Sequence, residues 1–433
     1  MSTVLIRNVI HEGNARDVLI RGECFERIEP RIEEAAERVI DAGGRKAILP
    51  AFYNAHTHAA MTLLRGYADD LPLHEWLQDH IWPVEARMTA EDIYNGARLA
   101  CLEMIRSGTV FFNDMYWQPE QTIRAAVEMG LRVCTGPIVL DAFASDQTAA
   151  QQDAVTAFIE KKDDLPATVI PAITPHSPYG VRSDTLAWVA EKAAESGLRM
   201  HLHLSETEKE VEDCLAQHGC RPAEYVHRLG LLTPRTLVAH AIHLDAREFE
   251  LLAEQGVSIA HMPVSNMKLC CGSMDMAAVR ARRIRLTLGT DGCSSNNCLD
   301  MMQEMKFAGL LAKHTTGDPT AFPASAAYRA ATRDAAEAFG LNAGVIAPGR
   351  AADCILVDLD NTRLIPGHNR ISDMVYSADS SVIDTVLCAG SILMEQKHIA
   401  GEAEILGLAH ESARRLRGAG VRARGGGRTG SAG

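Results

Sequence analysis

Between about residues 50 and 345, short apolar runs alternate with longer stretches whose apolar residues recur every three or four positions. The runs are "KAILPAFY", "GTVFFNDMYW", "LRVCTGPIVLD", "ATVIPAITPH", "LRMHLHLSE", "RTLVAHAIHL", "VSIAHMPVS" and "IRLTLGTDG". Each is the length of a strand and largely apolar, as a strand covered on both faces must be. The intervening segments, such as "TAEDIYNGARLACLEMIRSG", "SDTLAWVAEKAAESG" and "DAREFELLAEQG", have helical spacing and a closing glycine suited to a helix C-terminus. Eight strands separated by helices predict an α/β chain built on a (β/α)8 barrel, here residues 51–349.

The flanks have a different pattern. "TVLIRNVI", "DVLIRGECFERIEP" and "ERVIDAGGRKAIL" near one end, and "AADCILVDLD" and "VIDTVLCAGSILM" near the other, are short strands punctuated by turn residues. Segments 1–50 and 350–407 are expected to pair into one small composite β-sandwich domain. Residues 414–433 are rich in arginine and glycine with little apolar content, and are expected to be a disordered tail.

Composition narrows the function classes. A chain of 433 residues that is 47% hydrophobic can bury a large core, and a net charge of −13 opposes a polyanion-binding surface, so no nucleic-acid partner is expected. No apolar stretch reaches the roughly 18 to 20 residues of a membrane span, and the first residues lack the pattern of a secretion signal. The eleven cysteines form no C-x-x-C pair, which fits reduced thiols, mostly small buried hydrophobes, in a cytoplasmic protein. No stretch identifies an interface, although barrel enzymes often associate as homo-oligomers.

The chemistry of a barrel sits where its strands end. Here the first strand ends in His56 and His58, the fourth in His176, the fifth in His203 with Glu206 beyond it, the sixth in His240, the seventh in Ser265 and Asn266, and the eighth in Asp291. A lone histidine at a strand end is usually structural; imidazole or carboxylate at five of eight ends is a site. Three histidines and an aspartate suit Zn²⁺, with Fe²⁺ as the alternative, and leave a position open for water. In "HLHLSE", His203 is nearer the strand end and is the expected ligand, His201 lies one layer deeper as packing, and Glu206 is a candidate general acid/base. Two-metal versions of such a site carry a bridging lysine after the fourth strand, where this chain has His176 in "ITPHSPYG", so one metal ion is expected.

These motifs, "NAHTHAAMTLLRGYADDLPLHEWLQDHIWPVE", "ITPHSPYG", "HLHLSET", "VAHAIHL", "PVSNMKL", "LGTDGCSSNNCLD" and "PGRAADCILVDLD", resemble the amidohydrolase superfamily, in particular its 5-methylthioadenosine/S-adenosylhomocysteine deaminases. The resemblance spans about residues 1–407. It implies metal binding by His56, His58, His203 and Asp291, proton handling by Glu206, positioning of water by His240, and ribose binding by Glu85. It further implies substrate contacts from His176 and Ser295, with Trp76 and Trp82 as candidate walls of the pocket. The implied reaction is hydrolytic deamination of an adenosine-type nucleoside to its hypoxanthine counterpart and ammonia.

Two departures bear on the substrate. Members that grip the distal carboxylate of S-adenosylhomocysteine are expected to use arginines between the third and fourth strands, yet no arginine lies between Arg132 and Arg182. Methylthioadenosine, adenosine or 5'-deoxyadenosine is therefore favoured. Met262 in "AHMPVSN" stands where asparagine is common. The alternative is an aminohydrolase or chlorohydrolase of the same architecture acting on a triazine, guanine or pterin-type ring. A barrel retained without catalysis would be expected to lose ligands, and all four are present. A cytidine-type zinc deaminase is excluded because no P-C-x-x-C occurs.

Overall fold

The computed structural model describes residues 2–71, 75–143 and 145–425. Five strands open the chain: β1 (Thr3–His11), β2 (Asn14–Arg21), β3 (Cys24–Glu29), β4 (Arg38–Asp41) and β5 (Lys46–Pro50). Nine follow: β6 (Phe52–Thr57), β7 (Thr109–Asp114), β8 (Arg132–Thr135), β9 (Ile138–Val139), β10 (Val169–Pro175), β11 (Arg199–Leu204), β12 (Thr236–His240), β13 (Ser258–His261) and β14 (Arg285–Leu288). Three end the series: β15 (Cys354–Asp358), β16 (Ile383–Cys388) and β17 (Ser391–Met394).

The middle strands pair in parallel in the order β6-β7-β8-β10-β11-β12-β13-β14, with β9 alongside β10. This is the sequential order of a (β/α)8 barrel, with eight principal staves. β6 and β7 are buried at every position, because barrel interior lies on one side and helices on the other. At the seam, the backbone N–H groups of Thr290 and Asp291 both donate to the His56 carbonyl, at 3.2 and 3.0 Å. Gly289 permits this approach: a Cβ there would stand 2.7 Å from the His56 nitrogen.

The terminal strands form one sheet in the order β17-β16-β15-β5-β1-β2-β3, with β4 also on β1. β1 is bulged between Ile6 and Val9, so its first half pairs with β4 while Ile10 meets Ala47 of β5. Phe25 of β3, Ile48 of β5 and Leu387 of β16 share one apolar core, and an antiparallel bridge from Cys24 to Ala351 brings the β3 edge of the sheet back beside the start of β15.

"KAILPAFY" is two strands. β5 belongs to the terminal sheet and β6 to the barrel, and the chain passes between them at the fully buried Ala51. Asp353 fastens the junction, accepting from Tyr53 Oη at 2.5 Å and pairing with Arg132.

The expectation of a disordered tail from residue 414 is corrected by a helix spanning Glu402–Gly425. Its buried residues Ile405, Ala409, Ser412 and Leu416 fall at spacings of four, three and four, one stripe of a helix. That stripe packs against the helix Ala90–Arg106, where Asn95 bonds Ser412 at 3.2 Å and Arg415 pairs with Asp92. Residues 426–433 lie outside the described residues. No helix among the described residues is long and apolar enough to cross a membrane.

Candidate active site

His56 and His58 project from the end of β6 to the same face, as the two-residue period of a strand requires, with ring centroids 4.9 Å apart. The second nitrogen of each ring is occupied. His58 Nδ1 donates to the Met115 carbonyl at 2.6 Å, and His56 Nδ1 lies 2.9 Å from His201 Nε2. His203, at the end of β11, donates through Nδ1 to the His176 carbonyl at 2.8 Å. A carbonyl can only accept, so His58 and His203 each carry a proton on Nδ1 and turn Nε2 inward.

Asp291 completes the group from beyond β14. Its Oδ1 lies 3.4 Å from His56 Nε2 and 3.2 Å from His58 Nε2, and Ser265 Oγ donates to its Oδ2 at 2.6 Å. Ligand-type atoms of His56, His58 and His203 lie within 4.8 Å of one another, as do those of His56, His240 and Asp291. His56 Nε2 is buried with no hydrogen-bond partner, the condition of an atom whose natural partner is a cation. Nitrogen and carboxylate donors in this arrangement fit a divalent metal ion.

Burial drives His56 down to about 4, His176 down to about 3 and His203 well below the usual imidazole range, so these rings are neutral at physiological pH. Burial also disfavours the charged forms of Asp291 and His58, but their neighbours prevail: His56 and His58 together hold the Asp291 carboxyl far below the carboxylate range, and Asp291 raises His58 to about 9.

Three residues at or just past strand ends here adopt left-handed backbone: Ser205 at φ +50°, His240 at +70° and Asp291 at +64°. None is glycine, so each conformation is held against local strain by its surroundings.

Above the histidines lies a small cavity of about 80 Å³. Trp76, Trp82, Glu85, His176, Glu206 and Ser295 all line it, together with His240 and Asp291. Glu85 Oε1 accepts from Tyr116 Oη at 2.7 Å; burial raises its carboxyl, against the lowering effect of that bond. His240 Nδ1 meets Asn266 Oδ1 at 2.9 Å, so it donates there and leaves Nε2 as an acceptor, 3.7 Å from Glu206 Oε2. The thiol of Cys271 lies 3.6 Å from Glu206 Oε1. Among the described residues no arginine or lysine lines this cavity.

The residues singled out from the sequence thus share one cavity and its floor. Sequence reasoning missed Asn113, Tyr116, Cys271 and Glu210, and it underrated His201. His201 is deeper, as its place in β11 predicts, but it bonds to His56 and its Nδ1 meets Asn113 Nδ2 at 2.9 Å. The available signal was the spacing in "HLH", which sets both imidazoles on one face.

A parallel barrel that gathers imidazoles and a carboxylate from its first, fifth and last strands beneath one cavity defines a barrel hydrolase of the metal-assisted kind. The amidohydrolase family pattern matches residues 47–393, and the chain belongs to that family. It is 44% identical to 5-methylthioadenosine/S-adenosylhomocysteine deaminase 1 of Archaeoglobus fulgidus, over 96% of this chain and 99% of the relative. It is 43% identical to the 5'-deoxyadenosine deaminase of Methanoregula boonei, over 96% and 95% of the two chains. A solved adenosine deaminase from Xanthomonas campestris with bound zinc superimposes with a TM-score of 0.87 at 33% identity, covering 96% of this chain and 98% of that one.

Proposed function

We propose that the protein is a hydrolytic deaminase of adenosine-type nucleosides, converting the 6-amino purine and water to the hypoxanthine nucleoside and ammonia. The observation that carries this reading is the pairing, in one cavity, of a water-handling end (His240 and Asp291) with a second carboxyl, Glu206, 3.7 Å from His240 Nε2. The deaminases among its relatives support it.

His56, His58, His203 and Asp291 would hold one divalent ion, for which Zn²⁺ is the best fit and Fe²⁺ the alternative. When bound, such an ion lowers the pKa of water to about 7 and so provides a nucleophile at neutral pH. His240 orients the water through Nε2, because Asn266 holds the proton on Nδ1. Asp291, kept ionised, accepts the proton lost as the oxygen attacks C6. Glu206 delivers a proton to N1, neutralising charge that would otherwise build on the ring, and proton transfer to the amino group releases ammonia.

Glu85 accepts ribose hydroxyls through the oxygen that Tyr116 leaves free, His176 and Ser295 contact the substrate, and Trp76 and Trp82 wall the pocket. A cavity with no lysine or arginine in its lining among the described residues favours a small neutral 5' group, hence methylthioadenosine, adenosine or 5'-deoxyadenosine over S-adenosylhomocysteine. Loss of adenine absorbance near 265 nm, followed with each of the four nucleosides on metal-loaded protein, tests both statements. No change with any of them would overturn the reaction and direct attention to other amino- or halo-substituted heterocycles. An S-adenosylhomocysteine kcat/KM equal to that for methylthioadenosine would overturn the preference.

A further inference from the structure

Glu206 does not sit on a strand. It follows Ser205 in a sharp turn between the end of β11 and the helix Glu208–His218, and Ser205 holds φ at +50° without being glycine. A turn of this kind needs outside support, and its polar groups show where that comes from. The Ser205 carbonyl accepts from the N–H groups of Ile242 and His243 at 3.1 and 2.9 Å. The N–H groups of Ser205 and Glu206 both point the other way, into the carboxylate of Glu210. Ser205 N donates to Glu210 Oε1 and Glu206 N to Glu210 Oε2, each at 2.8 Å.

Glu210 is 5% exposed, and among the described residues no lysine or arginine bonds to it; the Glu206 carboxyl and the His240 ring lie near it. Burying a carboxylate beside another carboxylate is unfavourable, and burial pushes the Glu210 carboxyl up to about 7. A glutamate at that place stabilises the helix only modestly by lying in its first turn, since that turn already has Thr207 as its N-cap, accepting from Glu210 N at 3.2 Å. The two oxygens instead serve two consecutive peptide groups, one of them that of Glu206 itself.

We infer that Glu210 is a positioning residue for the reaction: its bidentate grip on the Ser205–Glu206 peptides fixes the left-handed turn that aims the Glu206 carboxyl at the purine ring and at His240. The inference rests on the reading of Glu206 as the proton-handling group. Both oxygens of the Glu206 side chain face the cavity partners described above, Cys271 and His240, so a rotation of its backbone would carry them out of reach.

The experiment is a double-mutant cycle in the metal-loaded full chain with Glu210→Gln, Glu206→Gln and the pair, following kcat and KM on the best nucleoside, with metal content and Tm measured on each. E210Q keeps one acceptor and loses the other. It is expected to lower kcat on the order of 10- to 100-fold, the scale of a misplacement near 1 Å, with bound metal unchanged. KM should stay within about threefold, because the ribose and ring contacts lie on other elements. In the E206Q background the same substitution should have little further effect. Glu210→Asp, which keeps the charge but withdraws it by one methylene, should repeat the loss and serves if E210Q does not fold. A purely structural role predicts a lower Tm with wild-type kcat, and that result overturns the inference. So does an equal further loss in the E206Q background, which would mean that Glu210 acts through something else. An E206Q enzyme as active as the wild type would instead remove the reading of Glu206 on which the inference depends.

Discussion

His201 Nε2 lies 2.9 Å from Nδ1 of His56, one layer beneath the inward-facing nitrogens, and Asn113 continues the chain by donating to the Ala55 carbonyl at 2.9 Å. The ring that begins the proposed metal-ligand set is therefore oriented by a neighbouring imidazole, where His58 and His203 are oriented by carbonyls.

Replacing His201 by phenylalanine preserves volume and removes that partner. Metal affinity is expected to fall about 10- to 100-fold, the usual effect of losing a ligand's hydrogen-bond partner. Competition with a chromophoric chelator measures it. An unchanged dissociation constant would reduce His201 to a filler of the barrel interior.

Asn266→Ala frees Nδ1 of His240 and with it the choice of tautomer. The expected outcome is a kcat lowered by roughly 10- to 100-fold with metal content intact, since general acid–base contributions are typically about 10²- to 10⁴-fold and only the orientation is disturbed here. Loss of metal together with activity would point to His240 as a ligand.

Leu416 is 4% exposed and packs in the cluster that includes Trp76, Ile81, Val84 and Tyr116. Leu416→Ala is expected to destabilise the chain by about 2 to 4 kcal/mol, read from denaturant unfolding. Because that cluster backs the wall of the cavity, KM should rise as well. A variant as stable as the wild type would mean that the last turns of this helix contribute nothing to the fold.

The Glu210 carboxyl gives a pH signature of stability. Its folded-state value is raised, to about 7 from 4.5, chiefly by burial. A raised acid binds its proton more tightly in the folded state, so its contribution is fully present below 4.5 and is lost as pH rises through 7. The difference in Tm between wild type and E210Q should therefore shift against the wild type across pH 4.5 to 7. A difference that is flat with pH would place the group's titration outside this window.

The barrel was legible because each stave is a short apolar run and because imidazole or carboxylate falls at the end of five of the eight runs, where a single chain shows it plainly. Less legible was what depends on partners distant in sequence. Ala51 divides two strands of different sheets with no break in the apolar pattern, since both sides of the junction are buried. The helix Glu402–Gly425 was obscured by its arginines and glycines, although Ile405, Ala409 and Leu416 lie on one stripe; Asp92, which pairs with Arg415, could not be assigned to it from the sequence. Tyr116, Cys271 and Glu210 carry no motif of their own. Each matters through one contact to a residue that does: Glu85 for Tyr116, and Glu206 for the other two.

The seam of the barrel is also the seam of the site. Asn54 and Thr290, 236 residues apart, bond side chain to side chain at 2.7 Å beside the point where the His56 carbonyl receives Thr290 and Asp291. A growing chain carries His56 from early in synthesis but cannot present a carboxylate to it until the last stave has emerged and docked. On the proposed ligand set, metal capture would thereby be a late event, and an ion held by His56 and Asp291 would act as a clasp across the closure, fastening the first stave to the last.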